Sequence, residues 1–308
     1  MAPTHLHAAG GDVAVRARGG ADDPYPRRVG PWELVGPAGE GALSRVHRAR
    51  PAGSSGGPAA YALKMLRTRW EDDVRALQML RREAQVGRTV SHPHLLPVLR
   101  FHLARAPRYL VMPWLCGTTL SAAQAGGRRF GVPVALSIVR QAAEALGALH
   151  SAGWRHGDVK PQNLFLSPEG HVTLLDLGFA RSFWERGGVA DRCVAGTWRY
   201  FAPELTSAAH RPDARADVYS LGVVLYELLA GRPPFDGTET TELARLHREA
   251  RAPHLTELRP MLPRAVVQLV HRTIAKSPMR RPRTAGELVD LLARLEIETF
   301  SERALPVR

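Results

Sequence analysis

The chain has 308 residues, 44% hydrophobic and 23% charged, a balance that allows a large buried core and excludes an intrinsically disordered protein. The formal charge of +13 raises nucleic acid or an anionic surface as a partner, but the arginines are spread over the whole chain and no basic run is interleaved with aromatics. Two cysteines, Cys116 and Cys193, are too few for a disulfide framework or a zinc site by themselves, and with no secretory block and no run of ~20 apolar residues a soluble, cytoplasmic protein is expected.

Residues 1–29, rich in Gly, Ala and Arg without periodicity, read as a flexible tail. Two strand-like runs, Leu43–Ala49 and Tyr61–Leu66, flank the loose segment Arg50–Ala60, the pattern of a hairpin with a long surface loop. A helix is predicted over about Asp72–Val90, with Val74, Leu77, Leu80 and Ala84 at helical spacing. After the strand RYLVMPW and the turn CGTT the character changes. Long helical patterns follow, first Val134–Ser151 with Leu136, Val139, Ala143, Leu146 and His150 on one stripe, then the apolar Ala216–Ala230, closed by Gly231. Thr284 with Glu287 three residues on is a capping box that opens a last helix carrying Leu288, Leu291, Leu292 and Leu295. The expected class is α+β, with a small β-rich lobe over about 30–115, a larger helical lobe over about 116–298, and a short tail from 299 to 308. No internal repeat is present.

Only three of the 42 basic side chains are lysines, and two of them lie in polar or strand contexts suited to phosphate: Lys64 in YALKML and Lys160 in HGDVKPQN. An ammonium is a compact point charge on a thin stem, whereas guanidinium is a broad planar fork. Around them stand GEGALSRV (39–46), whose glycines remove the Cβ from a backbone that must approach phosphate, then DLG (176–178), GTWRYFAPE (196–204) and the basic run RRPR (280–283).

In this order and at nearly this spacing, the motifs from about Trp32 to Leu295 resemble a eukaryotic-type protein serine/threonine kinase of the kind bacteria also encode. The resemblance implies a two-lobed fold, Mg-ATP as the phosphoryl donor with manganese as an alternative ion, and protein substrates bearing Ser or Thr. It implies that Gly39, Gly41 and Ser44 form the phosphate loop, Ser44 departing from the usual third glycine, and that Val46 covers the adenine. Lys64 is expected to pair with Glu83, the position set by the following VSHPHLLPV. Asp158 would accept the substrate proton, Lys160 neutralise the γ-phosphoryl group, and Asn163 and Asp176 hold metal. Met112 takes the gatekeeper position, and the carbonyl of Pro113 and the N–H of Leu115 the hinge contacts. Thr197 would close over the catalytic loop, Glu204 pair with Arg281, and Asp217 brace the loop. Gly87, where the family packs an aliphatic residue, implies a loosely held helix.

Two rival classes follow from the same residues. One is a pseudokinase or nucleotide-binding scaffold, which loss of Lys64, Asp158, Asn163 or Asp176 would favour. The other is an aminoglycoside-type small-molecule phosphotransferase, which shares HGD but lacks the Lys160 offset and GTWRYFAPE. A nucleic-acid-binding role comes third, and oligomeric state is not legible. Gly157 replaces the arginine that in regulated members receives a phosphorylated hydroxyl, and the segment between Phe179 and Gly196 holds a single hydroxyl, Ser182. Independence from activation-segment phosphorylation is therefore expected.

Overall fold

The computed structural model describes residues 26–54, 57–125, 127–185, 198–206 and 212–304. The first lobe contains β1 (Arg28–Val29), β2 (Trp32–Glu40), β3 (Ser44–Pro51), β4 (Tyr61–Leu66), helix α1 (Val74–Thr89), β5 (Arg100–His102) and β6 (Tyr109–Pro113). Its strands form one six-stranded sheet in the order β1-β2-β3-β4-β6-β5, with every neighbouring pair antiparallel.

Side chains alternate across a strand, so Ala62, Lys64 and Leu66 of β4 share one face and Leu63 and Met65 the other. The first face, with Leu110 and Met112 of β6, closes on Ala76, Leu80 and Ala84 of α1. The second packs with Val29, Trp32 and Tyr109. Each large aliphatic shut away in these layers contributes roughly 1.5–3 kcal/mol. Lys64 is therefore a cation inserted into the apolar face that α1 covers, and an acid from α1 is needed to meet it.

The helix begins at Val74, two residues later than expected, because the Asp73 side chain caps it by accepting the Ala76 N–H at 2.7 Å. Val74 itself is exposed, and the buried stripe runs through Ala76, Leu80, Glu83 and Ala84, so only Leu80 and Ala84 of the expected residues lie on it fully. The expected tail boundary at residue 29 is also displaced. Arg28 and Val29 pair with Glu33 and Trp32, and Val29 is buried, which draws the sheet's first strand out of the tail.

The second lobe follows with β7 (Thr118–Thr119), α2 (Leu120–Ala123), α3 (Val132–Ser151), β8 (Trp154–Arg155), β9 (Leu164–Leu166), β10 (Val172–Leu174), β11 (Arg181–Ser182), α4 (Arg215–Ala230), α5 (Thr240–Glu249), α6 (Leu255–Leu258), α7 (Arg264–Thr273) and α8 (Ala285–Ala304). α3 is apolar and long enough to cross a membrane by composition, but its apolar residues join those of α4, α7 and α8 in one large core. α4 is buried on nearly every side and ends where Gly231 turns to φ +77°. A Cβ there would stand 2.5 Å from Gly127 O, so glycine is required by space as well as by conformation.

At the start of α8, Thr284 Oγ1 accepts the Glu287 N–H at 3.0 Å as the capping box predicts, while the Glu287 carboxylate returns to the N–H of Arg283. The tail expected from residue 299 is helix as far as Ala304. Nothing between Leu295 and Ala304 breaks a helix, and Thr299 is buried with its hydroxyl on Leu295 O.

Candidate active site

β2 and β3 are joined through a tight hairpin in which the Gly41 N–H donates to Ser44 O at 2.8 Å. That amide is committed to the turn. Two register shifts bend β2, between Leu34 and Gly36 and between Pro37 and Gly39. The Cβ position of Gly39 opens on free space, and Val46 packs on the α1 side of the sheet beneath the hairpin. Ser44 is accommodated as an ordinary strand residue opposite Leu66. The hairpin tip is held from the β4–α1 connection: Trp70 Nε1 donates to Ala42 O at 3.0 Å, the Arg67 N–H to Leu43 O at 3.0 Å, and Glu40 lies between Arg45 and Arg67 at 3.3 and 3.1 Å. Nothing in the linear sequence marks Trp70 for this role.

Lys64 Nζ meets Glu83 Oε2 at 2.6 Å and Asp176 Oδ1 at 3.0 Å, so one ammonium joins β4, α1 and the segment after β10. Burial opposes its charge, but Asp176 and Glu83 outweigh burial and raise its pKa. Asp176 stays ionised below the ordinary aspartate value, since Lys64 and the Gly178 N–H offset the cost of its own burial. Asp176 is also the one non-glycine with positive φ among the described residues, at +61°. A conformation of this kind costs on the order of 1–3 kcal/mol and persists because its surroundings over-determine it. Leu177, in place of the family's phenylalanine, is buried.

In the catalytic loop, Lys160 Nζ contacts Asp158 Oδ2 at 2.7 Å, and Asn163 Nδ2 donates to Asp158 O and Oδ2 at 2.8 and 2.9 Å. The other oxygen, Asp158 Oδ1, is buried and meets no hydrogen-bond partner among the described residues. Burial raises the Asp158 pKa and Lys160 partly restores it. The Leu175 N–H bonds to Asn163 O at 2.8 Å, which brings Asn163 beside Asp176.

His156 ties the same strands together, its Nδ1 accepting the Asp158 N–H at 3.2 Å and its Nε2 donating to Leu175 O at 2.9 Å. Its place in the HGD motif was the only sequence signal for this. Beneath the loop, Asp217 on α4 accepts the N–H groups of His156 and Gly157 at 2.8 and 2.9 Å and contacts His150 Nε2 at 2.9 Å. Burial works against that carboxylate, yet the His150 hydrogen bond and the surrounding positive groups bring its pKa down to about 2.

Met112 is buried at the back of the cleft, and Pro113 closes β6 opposite Tyr61. The Trp114 N–H is taken by Ala60 O at 2.9 Å, while Leu115 N–H meets no acceptor among the described residues. Proline is tolerated at 113 because it stands at the end of the strand. Glu204 and Arg281 form a bidentate pair at 2.7 and 2.8 Å with the Arg281 side chain wholly buried, so this part of RRPR is structural. Thr197 lies outside the described residues.

Gly87 does not loosen α1. Its carbonyl accepts the Val98 N–H at 2.9 Å, and a Cβ on it would stand 2.7 Å from Val98 Cγ2, so the missing side chain lets the helix lie directly on that segment. Beyond Lys160, a polar cavity of about 420 Å³ is lined by Gln162, Trp198, Tyr200, Glu227 and Thr240 among others. Tyr200 donates its hydroxyl to Glu227 at 2.7 Å in its wall.

Comparison with known proteins agrees with this geometry. The family model described as protein kinase domain matches residues 32–291. A probable serine/threonine-protein kinase of Clostridium perfringens is 30% identical over 265 residues, covering 86% of this chain and 38% of the relative. Serine/threonine-protein kinase PknD of Mycobacterium tuberculosis is 31% identical over 262 residues (85% of this chain, 39% of PknD), and PknE of Mycobacterium bovis 31% over 270 residues (88% and 47%). The chain thus spans less than half the length of these curated relatives. By the matched residues, and by a Lys64–Glu83–Asp176 and Asp158–Lys160–Asn163 constellation assembled in one cleft, the chain belongs to the protein kinase family.

Proposed function

We propose that this domain transfers the γ-phosphoryl group of Mg-ATP to Ser or Thr hydroxyls of polypeptides. The observation that carries the reading is the buried Oδ1 of Asp158, unpartnered among the described residues, whose companion oxygen is held by Lys160 and Asn163. A buried carboxylate oxygen lacking a donor is costly unless something brings one, and a substrate hydroxyl does.

The residues fit a nucleotide and a hard cation. Asn163 uses its Nδ2 on Asp158 and keeps its carbonyl oxygen, and Asp176 gives Oδ1 to Lys64 and keeps Oδ2. Two such oxygens suit Mg²⁺, or Mn²⁺, completed by phosphate and water. Bound Mg-ATP supplies the phosphoryl group and part of the charge neutralisation. Lys64, oriented by Glu83, offers its ammonium to the phosphates. Lys160 neutralises charge beside Asp158, and Asp158 Oδ1 takes the hydroxyl proton. Lys160 two residues past Asp158 and the GTWRYFAPE segment support a polypeptide acceptor over a small molecule, and the assembled set of charged residues supports an enzyme over a scaffold.

The test is transfer from radiolabelled ATP to a generic basic protein, read for phosphoserine and phosphothreonine. Asp158→Asn is expected to lower transfer by about 10²–10⁴-fold while leaving nucleotide titration unchanged, and Asp176→Asn to weaken metal–nucleotide binding itself. Undiminished transfer by Asp158→Asn would sink the reading.

A further inference from the structure

α1 carries Glu83, so whatever fixes its position fixes the Lys64 pair. Toward the sheet it is held by Ala76, Leu80 and Ala84. Toward the second lobe, the neighbouring residue Arg82 donates from Nη2 to Glu185 Oε1 at 2.6 Å, a pair that spans 103 residues of sequence. Both groups are partly shielded, with 20% and 34% of the side chains exposed, which strengthens a pair relative to one fully in water.

Glu185 is itself held from below. β11 pairs with β8, the Phe183 N–H bonds to Gly153 O at 3.0 Å, and the Glu185 N–H bonds to Ser182 O at 3.1 Å. Arg181 Nη1 lies 4.0 Å from the same Glu185 oxygen, so the carboxylate stands between a cation of the second lobe and one of α1. Ser182 accepts the Trp184 N–H on its Oγ and is thereby part of the turn. At the same time the catalytic loop offers no cation at Gly157.

We propose that the Arg82–Glu185 ion pair is a built-in latch that holds α1 in the register where Glu83 meets Lys64, the Glu185 carboxylate supplying the negative charge that a phosphorylated hydroxyl would otherwise bring. Arg82 and Glu185 are positioning residues, acting through Glu83. The proposal rests on the kinase reading above.

Its test is a double-mutant cycle in the full chain: Arg82→Gln, Glu185→Gln, and both together, with Arg82→Lys as the conservative variant. Each single change is expected to lower kcat about fivefold with the nucleotide titration and the melting temperature unmoved. The double variant is expected to be no worse than either single one, and Arg82→Lys to keep most of the rate. Additive losses, or no loss in either single variant, overturn the latch. Should the wild-type chain transfer no phosphate to Ser or Thr, the kinase reading fails separately. Hydrogen exchange of the α1 amides then decides the latch: Glu185→Gln must speed exchange across residues 74–89, and unchanged protection overturns it.

Discussion

The third lysine, Lys276, donates its ammonium to Leu246 O and His247 O at 3.2 and 2.7 Å, at the end of α5, and stands 4.1 Å from the centre of the Phe235 ring. Burial and the nearby Arg281 bring its pKa down to about 8. Lys64 and Lys276 of an arginine-dominated chain thus fill slots where a small spherical cation meets two acceptors at once, and Lys64 and Lys160 both lie in the proposed active site. Lys64→Arg is therefore expected to remove most activity even though charge is kept, because a planar fork cannot reach Glu83 and Asp176 from the same point. Steady-state transfer by that variant checks it, and normal turnover would refute it. The protonation of Asp158 makes a second residue-scale expectation. A base must be deprotonated to act, burial raises its pKa, and the Lys160 charge is the chief force lowering it. The acid limb of kcat/KM should lie above the ordinary aspartate range, and in Lys160→Ala, however slow, it should move to still higher pH. A limb that moved down would contradict the assignment.

At the scale of elements, α1 and its neighbours decide what the site can hold. Alanine is a better helix former than glycine by roughly 0.5–1 kcal/mol, but a methyl group on Gly87 meets Val98 Cγ2 at 2.7 Å, and overpacking of that kind costs about 1–3 kcal/mol. The clash should win. Gly87→Ala is expected to lower the melting temperature and the rate in the wild-type background, and to raise stability in a Val98→Ala background where the space exists. Equal effects in both backgrounds would show that the two residues do not compete for space. This position also shows why sequence reading erred on α1. Gly87 was visible as a departure from the family, but whether its gap is empty or filled depends on Val98, eleven residues on and beyond the end of the helix. The apolar stripe suffered likewise, since Val74 fits a helical pattern yet projects away from the sheet in the first turn. The Asp73 cap, the Gly231 stop and the Thr284 cap are local chemistry, and those helix ends were legible within a residue or two.

Across the whole molecule the lobes meet through a few long-range links. The Leu96 N–H bonds to Leu174 O at 3.1 Å and the Leu174 N–H to His94 O at 2.8 Å, so the chain leaving α1 is stitched to β10 of the second lobe. Lys64–Asp176 and Arg82–Glu185 span the cleft beside it. Links inside one motif, such as Asp158, Lys160 and Asn163, could be read directly. Glu204–Arg281 was legible only through resemblance, because 77 residues separate its partners. Arg82–Glu185, Trp70–Ala42 and the Asp217 contacts to His150 were not read at all, since no local pattern distinguishes such side chains from solvated ones.

Regulation is the property most exposed to those unread contacts. Gly157 has φ +76°, its N–H is on Asp217 Oδ1, and a Cβ there would stand 2.8 Å from Phe179 O. An arginine at this position must carry a strained backbone and displace a carbonyl, a combined cost on the order of 1–3 kcal/mol. Gly157→Arg is accordingly expected to lower thermal stability and activity without making activity depend on phosphorylation. Wild-type protein treated with a phosphatase should keep its initial rate, because α1 is held by a carboxylate the enzyme cannot remove. A large loss of rate after phosphatase, recovered by autophosphorylation and mapped to residues 181–197, would instead place the switch in the activation segment.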